Sequence, residues 1–436
     1  MPLAIAAWAI YGLALGLRLW DLDRQPYPVF DEVHFPKFAS EYLGGSAPLD
    51  GHPPLGKYVI MLGIWLFGAN DYGYRLMTAL VGAALPLLVM GLMYRLTARY
   101  WIGAMAAIFV ALDGLFLVES RFGLMNIFLV TFGLASQVFL VAALLAKDRV
   151  RTGYGILSGL MLGASASVKW NGLGFWLLTV LLFGMTLVPW WQGRLGLWQK
   201  LRELRWWESL LLLGVAPGAV YGGQWLPHVL MVMKRESPTA TGWDWWQALG
   251  FHFVQANRYI VYWNNSTAAV GTPDQPIHPY CSAMQTWPIS WRPVGYFFEV
   301  KNNLWWDVHG MGNPVLWWLA IAAVLWFTAR GLAQIRQFES VTAYLLLGYA
   351  ANYLPWLLVK RCLFVYHYMS PVVFAFMLLA VGLGWLWSRQ QHWVRFVGIF
   401  GGVGIGLSTL FFMPIWLGLP LTEAQFFLRM WLKSWI

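Results

Sequence analysis

Residues 31–57 read DEVHFPKFASEYLGGSAPLDGHPPLGK, and how this stretch is read decides the fold around it. It is the first sizeable polar interval after an apolar opening, and it gathers titratable groups. Adjacent carboxylates, Asp31 and Glu32, are followed by His34, Lys37, Glu41, Asp50, His52 and Lys57. Pro53-Pro54 fixes the backbone just before Gly56-Lys57. Nearly everything on either side is hydrophobic. Two readings fit such a cluster: a solvated loop between two membrane helices, or the active site of a membrane enzyme.

Working outward, the composition is that of a chain that lives in lipid. Of 436 residues, 59% are hydrophobic and only 11% charged, against about 25% charged in a soluble protein; mean hydropathy is +0.57. Apolar runs of roughly 20 residues recur, the length a helix needs to cross a hydrocarbon core. The opening run, Pro2–Trp20, lacks a basic leader and a small-residue cleavage site, so it is expected to stay as a helix. The 30 Trp suit helix ends at the interface. Cys281 and Cys362 form no metal motif, and the sequence alone leaves open whether they pair.

About eleven spans follow from hydropathy and length: roughly 2–20, 74–96, 101–118, 122–146, 154–169, 173–190, 208–227, 313–329, 340–359, 366–387 and 396–418. With the N-terminus cytoplasmic, the inner loops are short and basic, at Arg95/Arg99, Lys147/Arg149/Arg151, Arg194/Lys200/Arg202/Arg205, Arg330/Arg336 and Arg389/Arg395. That is the positive-inside pattern. It accounts for the net charge of +10 without nucleic acid. The expected architecture is therefore an all-α polytopic membrane protein forming a single domain, 1–436. Its outer segments are 21–73, 228–312 and an amphipathic tail, 419–436. In the first, Phe35–Leu43 and Tyr58–Gly68 read as short interfacial helices around a Gly44–Pro54 turn region. In the second, Trp243–Trp263 reads as another, with helices and connections filling the rest. The tail opens on Thr422-x-x-Gln425, a capping-box pattern.

DEVHF and HPPLGK are joined in order by SVKWNGL at 167–173, HPY at 278–280, WRPVGYFFE at 291–299, GNPVLWWL at 312–319 and YLPWLLVKRCLFVYHY at 353–368. Together these resemble the protein O-mannosyltransferases over nearly the whole chain. The resemblance implies a GT-C-type glycosyltransferase fold. It also implies transfer of mannose from polyprenyl-phosphate mannose to Ser/Thr hydroxyls of acceptor polypeptides, at the outer face of a bacterial inner membrane and during export. Segment 228–312 has no room for the trefoil module of eukaryotic relatives, so the likeness is to compact bacterial members. Rival readings are a relative that moves another sugar, such as aminoarabinose, to a lipid, and a transporter. The WRPVGYFFE and VYHY segments argue against the first. The gathering of polar residues at one face argues against the second.

Such a transfer needs a base for the hydroxyl, cationic donors for the departing phosphate and an apolar groove for the polyprenyl chain. Asp31 matches the first acid of the family's pair and is the expected base. Glu32 is its expected partner, orienting the acceptor or raising the pKa of Asp31. For the phosphate the candidates are Arg75, Arg361 and His367, with Lys169 adding a cation at an outer helix end. Tyr366 and Tyr368 add donors beside His367. His34, His52 and Lys57 are expected to position the loop or touch substrate. The bland alternative for each cation is snorkelling to lipid headgroups. Arg18, Asp113, Glu119 and Arg121 lie in or near spans and are costly unless paired, as in an ion pair of Asp113 or Glu119 with an arginine. Asn126 stands where the resemblance leads one to expect an aspartate. No cofactor is firmly implied. A divalent metal on Asp31, Glu32 and His34 would lack a DxD or HExxH motif, so a metal-free carboxylate loop is the expectation.

Overall fold

A computed structural model describes residues 2–188, 196–268, 270–334 and 339–436; the expected inner-loop residues Arg194 and Arg336 lie outside these. Seven described helices are long and apolar enough to cross a bilayer: Pro2–Leu19, Asp71–Thr97, Asn126–Leu145, Trp170–Leu187, Pro314–Ala333, Val365–Trp387 and His392–Leu417. Asn126–Leu145 and Val365–Trp387 form the centre of the bundle, 83% and 78% buried, whereas Pro2–Leu19 turns 17% of its window inward and faces lipid.

Helices also occupy the four other places where spans are expected, in shorter, more polar or interrupted form. Asp148–Val168 fills the fifth. The seventh runs through Trp206–Leu210, a π-helical turn at Leu211–Val215 and Ala216–Glu236. The ninth is Ser340–Tyr353 extended by a 3₁₀ turn, Leu354–Leu358. The third breaks at Asp113, between Tyr100–Leu112 and Gly114–Glu119. Asp113 leaves the helix to cap the next one: its Oδ1 accepts from Leu115 N at 3.1 Å and Phe116 N at 3.3 Å. Its Oδ2 accepts from Asn313 N at 2.9 Å and the Trp317 indole at 2.8 Å. Four neutral donors, rather than the expected arginine, satisfy this buried carboxylate.

Helices form at the three places where outer helices are expected: Phe35–Leu43, Leu55–Phe67 and Gly242–Asn265. Thr422 caps Glu423–Phe427, with Gln425 N on Thr422 Oγ1 at 3.3 Å and Thr422 N on Gln425 Oε1 at 3.0 Å. The long outer segment departs from the expectation of helices and connections. It holds a two-stranded antiparallel hairpin, Val294–Lys301 with Leu304–Gly310. Asn302 and Asn303 both take positive φ, 53° and 60°, which suits the tight turn that matches strand twist. The register slips between Gly295 and Phe297; the extra residue, Tyr296, is re-aimed into the protein. On the other edge, Trp305 exchanges both backbone hydrogen bonds with Leu421, so the hairpin carries the tail.

Candidate active site

The first outer segment is anchored by an ion pair with no exposure at all, Glu32 with Arg75. Arg75 donates from Nε and Nη2 to the two Glu32 oxygens, each at 2.9 Å. Its remaining N–H groups go to the carbonyls of Leu22 (3.2 Å), Gln25 (2.9 Å) and Tyr27 (3.3 Å). Glu32 also accepts from Gly123 N at 2.6 Å and Val29 N at 3.1 Å. Charge and hydrogen bonds are thus closed within the protein. Arg75, expected at the phosphate, has no N–H left to offer one. Glu32, expected as the partner of the base, turns its carboxylate to the scaffold.

This clamp sets the short 3₁₀ turn Phe30–Val33, on which Asp31 points the other way. Its half-buried carboxylate makes no hydrogen bond to any described side chain or backbone group. Burial raises its pKa, and the nearby Lys169 is the chief influence pulling it back down. Lys169, buried at the end of Asp148–Val168, donates to Asn126 Oδ1 at 2.9 Å and lies over the Phe35 and Tyr366 rings, 5.6 and 5.4 Å from their centroids.

Beside Lys169 opens a cavity of about 520 Å³. Its lining includes the polar Lys169, His52, Arg361 and His367 and the apolar Trp176, Leu177, Trp356 and Leu358. Arg361 Nη2 donates to Asn264 Oδ1 at 3.3 Å, while its buried Nε has no partner among the described residues. His367 Nδ1 sits 3.0 Å from Phe364 O, which leaves Nε2 as the ring nitrogen for the cavity. His52 is held neutral: burial, then Lys169 and Lys57, depress its pKa well below the usual histidine value.

The other candidates divide by environment. Lys57 is buried and pairs with Asp50 while donating to His52 O at 2.9 Å, so it fastens the Asp50–Lys57 turn. Tyr366 faces the Asp31–Lys169 region. Tyr368 looks away, its hydroxyl 2.9 Å from that of Tyr349. His34 is exposed and stacks on Phe38. Arg121 spends its donors on the carbonyls of Leu17, Arg18, Trp20 and Asp21, closing the first span.

Sequence reasoning gives no role in the site to Asn264, which it takes only as part of two overlapping glycosylation sequons and which orients Arg361, or to His278 of the HPY motif, whose ring packs on Phe30 and Phe364. It left the cysteines open. The structure joins Cys281 to Cys362, with Cα atoms 5.4 Å apart, pinning the segment that carries Arg361. Ser282 N on Leu363 O at 2.8 Å and Cys362 N on Gly271 O at 2.9 Å reinforce this.

Comparison with known proteins bears on the family and the fold. A sequence model of the dolichyl-phosphate-mannose-protein mannosyltransferases matches residues 8–72 and 67–233, and one of the C-terminal four-span region of protein O-mannosyltransferase matches 251–435. The chain is 28% identical to a polyprenol-phosphate-mannose–protein mannosyltransferase of Mycolicibacterium smegmatis, over 94% of this chain and 87% of that one. A Corynebacterium glutamicum protein of the same name is 26% identical, over 98% and 93%. Among solved structures, the S. cerevisiae protein O-mannosyltransferase Pmt1-Pmt2 complex bound to the sugar donor superposes with a TM-score of 0.84 at 16% identity, covering all of this chain and 93% of that one. ArnT from Cupriavidus metallidurans bound to undecaprenyl phosphate gives 0.54 at 16%, covering 95% and 64%. The fold is that of the GT-C glycosyltransferases, and the chain belongs to the protein O-mannosyltransferase family.

Proposed function

We propose that this enzyme transfers mannose from polyprenyl-phosphate mannose to Ser or Thr hydroxyls of exported polypeptides, at the outer face of a bacterial inner membrane. One observation carries the reading: the Asp31 carboxylate, without a hydrogen bond among the described residues, lies near Lys169, which lines a cavity of mixed cationic and apolar lining. The apolar lining suits a polyprenyl chain and the cationic groups suit its phosphate. The hydroxyl oxygen attacks C1 of the sugar as Asp31 takes its proton. The bond from C1 to the phosphate oxygen breaks with its electron pair on the phosphate, where Arg361 and Lys169 meet the growing charge and neutral His52 and His367 add hydrogen bonds. A single displacement inverts the sugar centre. Glu32 and Arg75 hold the turn that presents Asp31.

The outer-face assignment rests on the basic inner loops and on the joined cysteines, since disulfides persist in oxidising compartments. The names of the relatives favour a protein acceptor over the lipid acceptor of the rival reading. The test is transfer by the purified protein from polyprenyl-phosphate mannose to a Ser/Thr-rich peptide. Asp31→Asn, which keeps the shape and removes the base, is expected to lower turnover roughly 10²–10⁴-fold while the protein stays folded. Near-normal turnover in that variant, or transfer to a lipid acceptor alone, overturns the proposal.

A further inference from the structure

We propose that Glu119 and Asn126 are a positioning pair that keeps Lys169 charged and aimed at the donor cavity. The inference rests on the mannosyl-transfer reading above and extends it to two residues that no step of that reaction uses. Glu119 is completely buried at the end of Gly114–Glu119. Its Oε2 accepts from Asn126 Nδ2 at 3.0 Å and its Oε1 from the Tyr296 hydroxyl. Asn126 Oδ1 in turn accepts from Lys169 Nζ at 2.9 Å.

The order of these bonds fixes a direction. Both Glu119 oxygens accept here, so Glu119 holds the NH₂ of Asn126 toward itself and the carbonyl toward Lys169. Without that carboxylate the amide is free to turn and set donor against donor at the ammonium. Lys169 has no direct ion pair among the described residues; Asp31 and Glu119 are the acids that act on it most strongly. Glu119 is therefore both the orienter of the amide and the more hidden half of the counter-charge. The acid that the sequence lacks at position 126 stands at 119, with Asn126 as the link. The far end is equally fixed: the bulge turns Tyr296 inward, its ring 5.9 Å from Phe122 and 5.4 Å from Phe30. Lys169 is thus tied through the chain to the hairpin and to the turn bearing Asp31.

Relocating the charge separates positioning from mere packing. In Glu119→Gln the carboxamide can still bond Tyr296 and Asn126, but the negative charge is gone. We expect the KM for polyprenyl-phosphate mannose to rise roughly tenfold to a hundredfold, the size of one hydrogen bond to a charged group, with little change in kcat. In the double variant Glu119→Gln/Asn126→Asp, a carboxylate meets Lys169 directly and the glutamine amide donates to it. Donor KM should return to within about threefold of wild type, with thermal midpoints similar throughout. Binding of a short-chain polyprenyl phosphate, measured without turnover, should rank the variants in the same order. That measurement stands even if the transferred sugar or the acceptor differs from the reading above. A double variant no better than Glu119→Gln in both measurements, or a Glu119→Gln that loses thermal stability while keeping donor affinity, overturns the inference.

Discussion

Glu32→Gln distinguishes holding the catalytic turn from taking part in the chemistry. The carboxylate accepts four hydrogen bonds: Arg75 Nε and Nη2 at 2.9 Å, Gly123 N at 2.6 Å and Val29 N at 3.1 Å. Two converge on each oxygen. Glutamine keeps one oxygen and places an NH₂ at the other, so half of these contacts become donor against donor. Arg75, with no exposed surface, loses its counter-charge. Breaking one side of a buried ion pair costs about 3–5 kcal/mol, roughly two to nearly four powers of ten in the folded-to-unfolded ratio. The assay is survival of the monodisperse species after heating in detergent, beside the transfer rate of the unheated protein. We expect a clear drop in thermal midpoint and a parallel loss of transfer as the turn loosens. A Glu32→Gln protein as heat-stable as wild type but devoid of transfer refutes the reasoning and moves Glu32 into the reaction.

Three further outcomes are expected. Burial raises the Asp31 pKa, so kcat/KM should climb with pH through a limb above the ordinary carboxylate value of about 3.9. Lys169 opposes that rise, so Lys169→Met should shift the limb to still higher pH, and an unmoved limb counts against Asp31 as the base. Arg361→Lys keeps charge but cannot reproduce the planar fork at a phosphate, so donor KM should rise while Lys360→Ala, on an exposed neighbour, stays near wild type; equal effects reduce Arg361 to a lipid anchor. Since the two native cysteines are joined, single cysteines at exposed Ser46 and Asp274 should react with an impermeant maleimide on intact cells. Cysteines at Arg149 and Gln334 should react only after the membrane is opened, and an exchange of the two sets reverses the orientation.

The elements that sequence discloses here are those specified locally. Phe35–Leu43, Gly242–Asn265 and the Thr422 cap depend on periodicity and on residues within a turn of one another, and they lie where expected. The hairpin had a local signal too, Asn302-Asn303 between aromatic and β-branched runs, but in so apolar a chain those runs also resemble interfacial helix. What stayed hidden is set by distant partners. The type and burden of Arg75 were evident, yet not that Glu32, 43 positions earlier, would absorb it. Asp113 looked in need of an arginine because its donors, Asn313 and Trp317, come from 200 and 204 positions away. Asp31, Arg361, Lys169 and His367 were singled out by residue type and by resemblance, because an attacking hydroxyl needs a base and a departing phosphate needs cations. Which cations remain free for it is decided only by packing.

The donor cavity is walled partly by Leu358, which is 84% exposed, and is flanked by Leu354 and Leu357, at 52% and 60%. On the proposed reading these side chains stand against the acyl region of a leaflet, and a lipid substrate reaches the cavity by sliding sideways within the membrane. The quantity that saturates such an enzyme is then the mole fraction of donor among lipids, not its molarity in the buffer. Diluting a fixed amount of donor with more phospholipid should slow the reaction although nothing changes per litre. The spent carrier leaves along the same plane, and it competes there with fresh donor in proportion to its share of the leaflet.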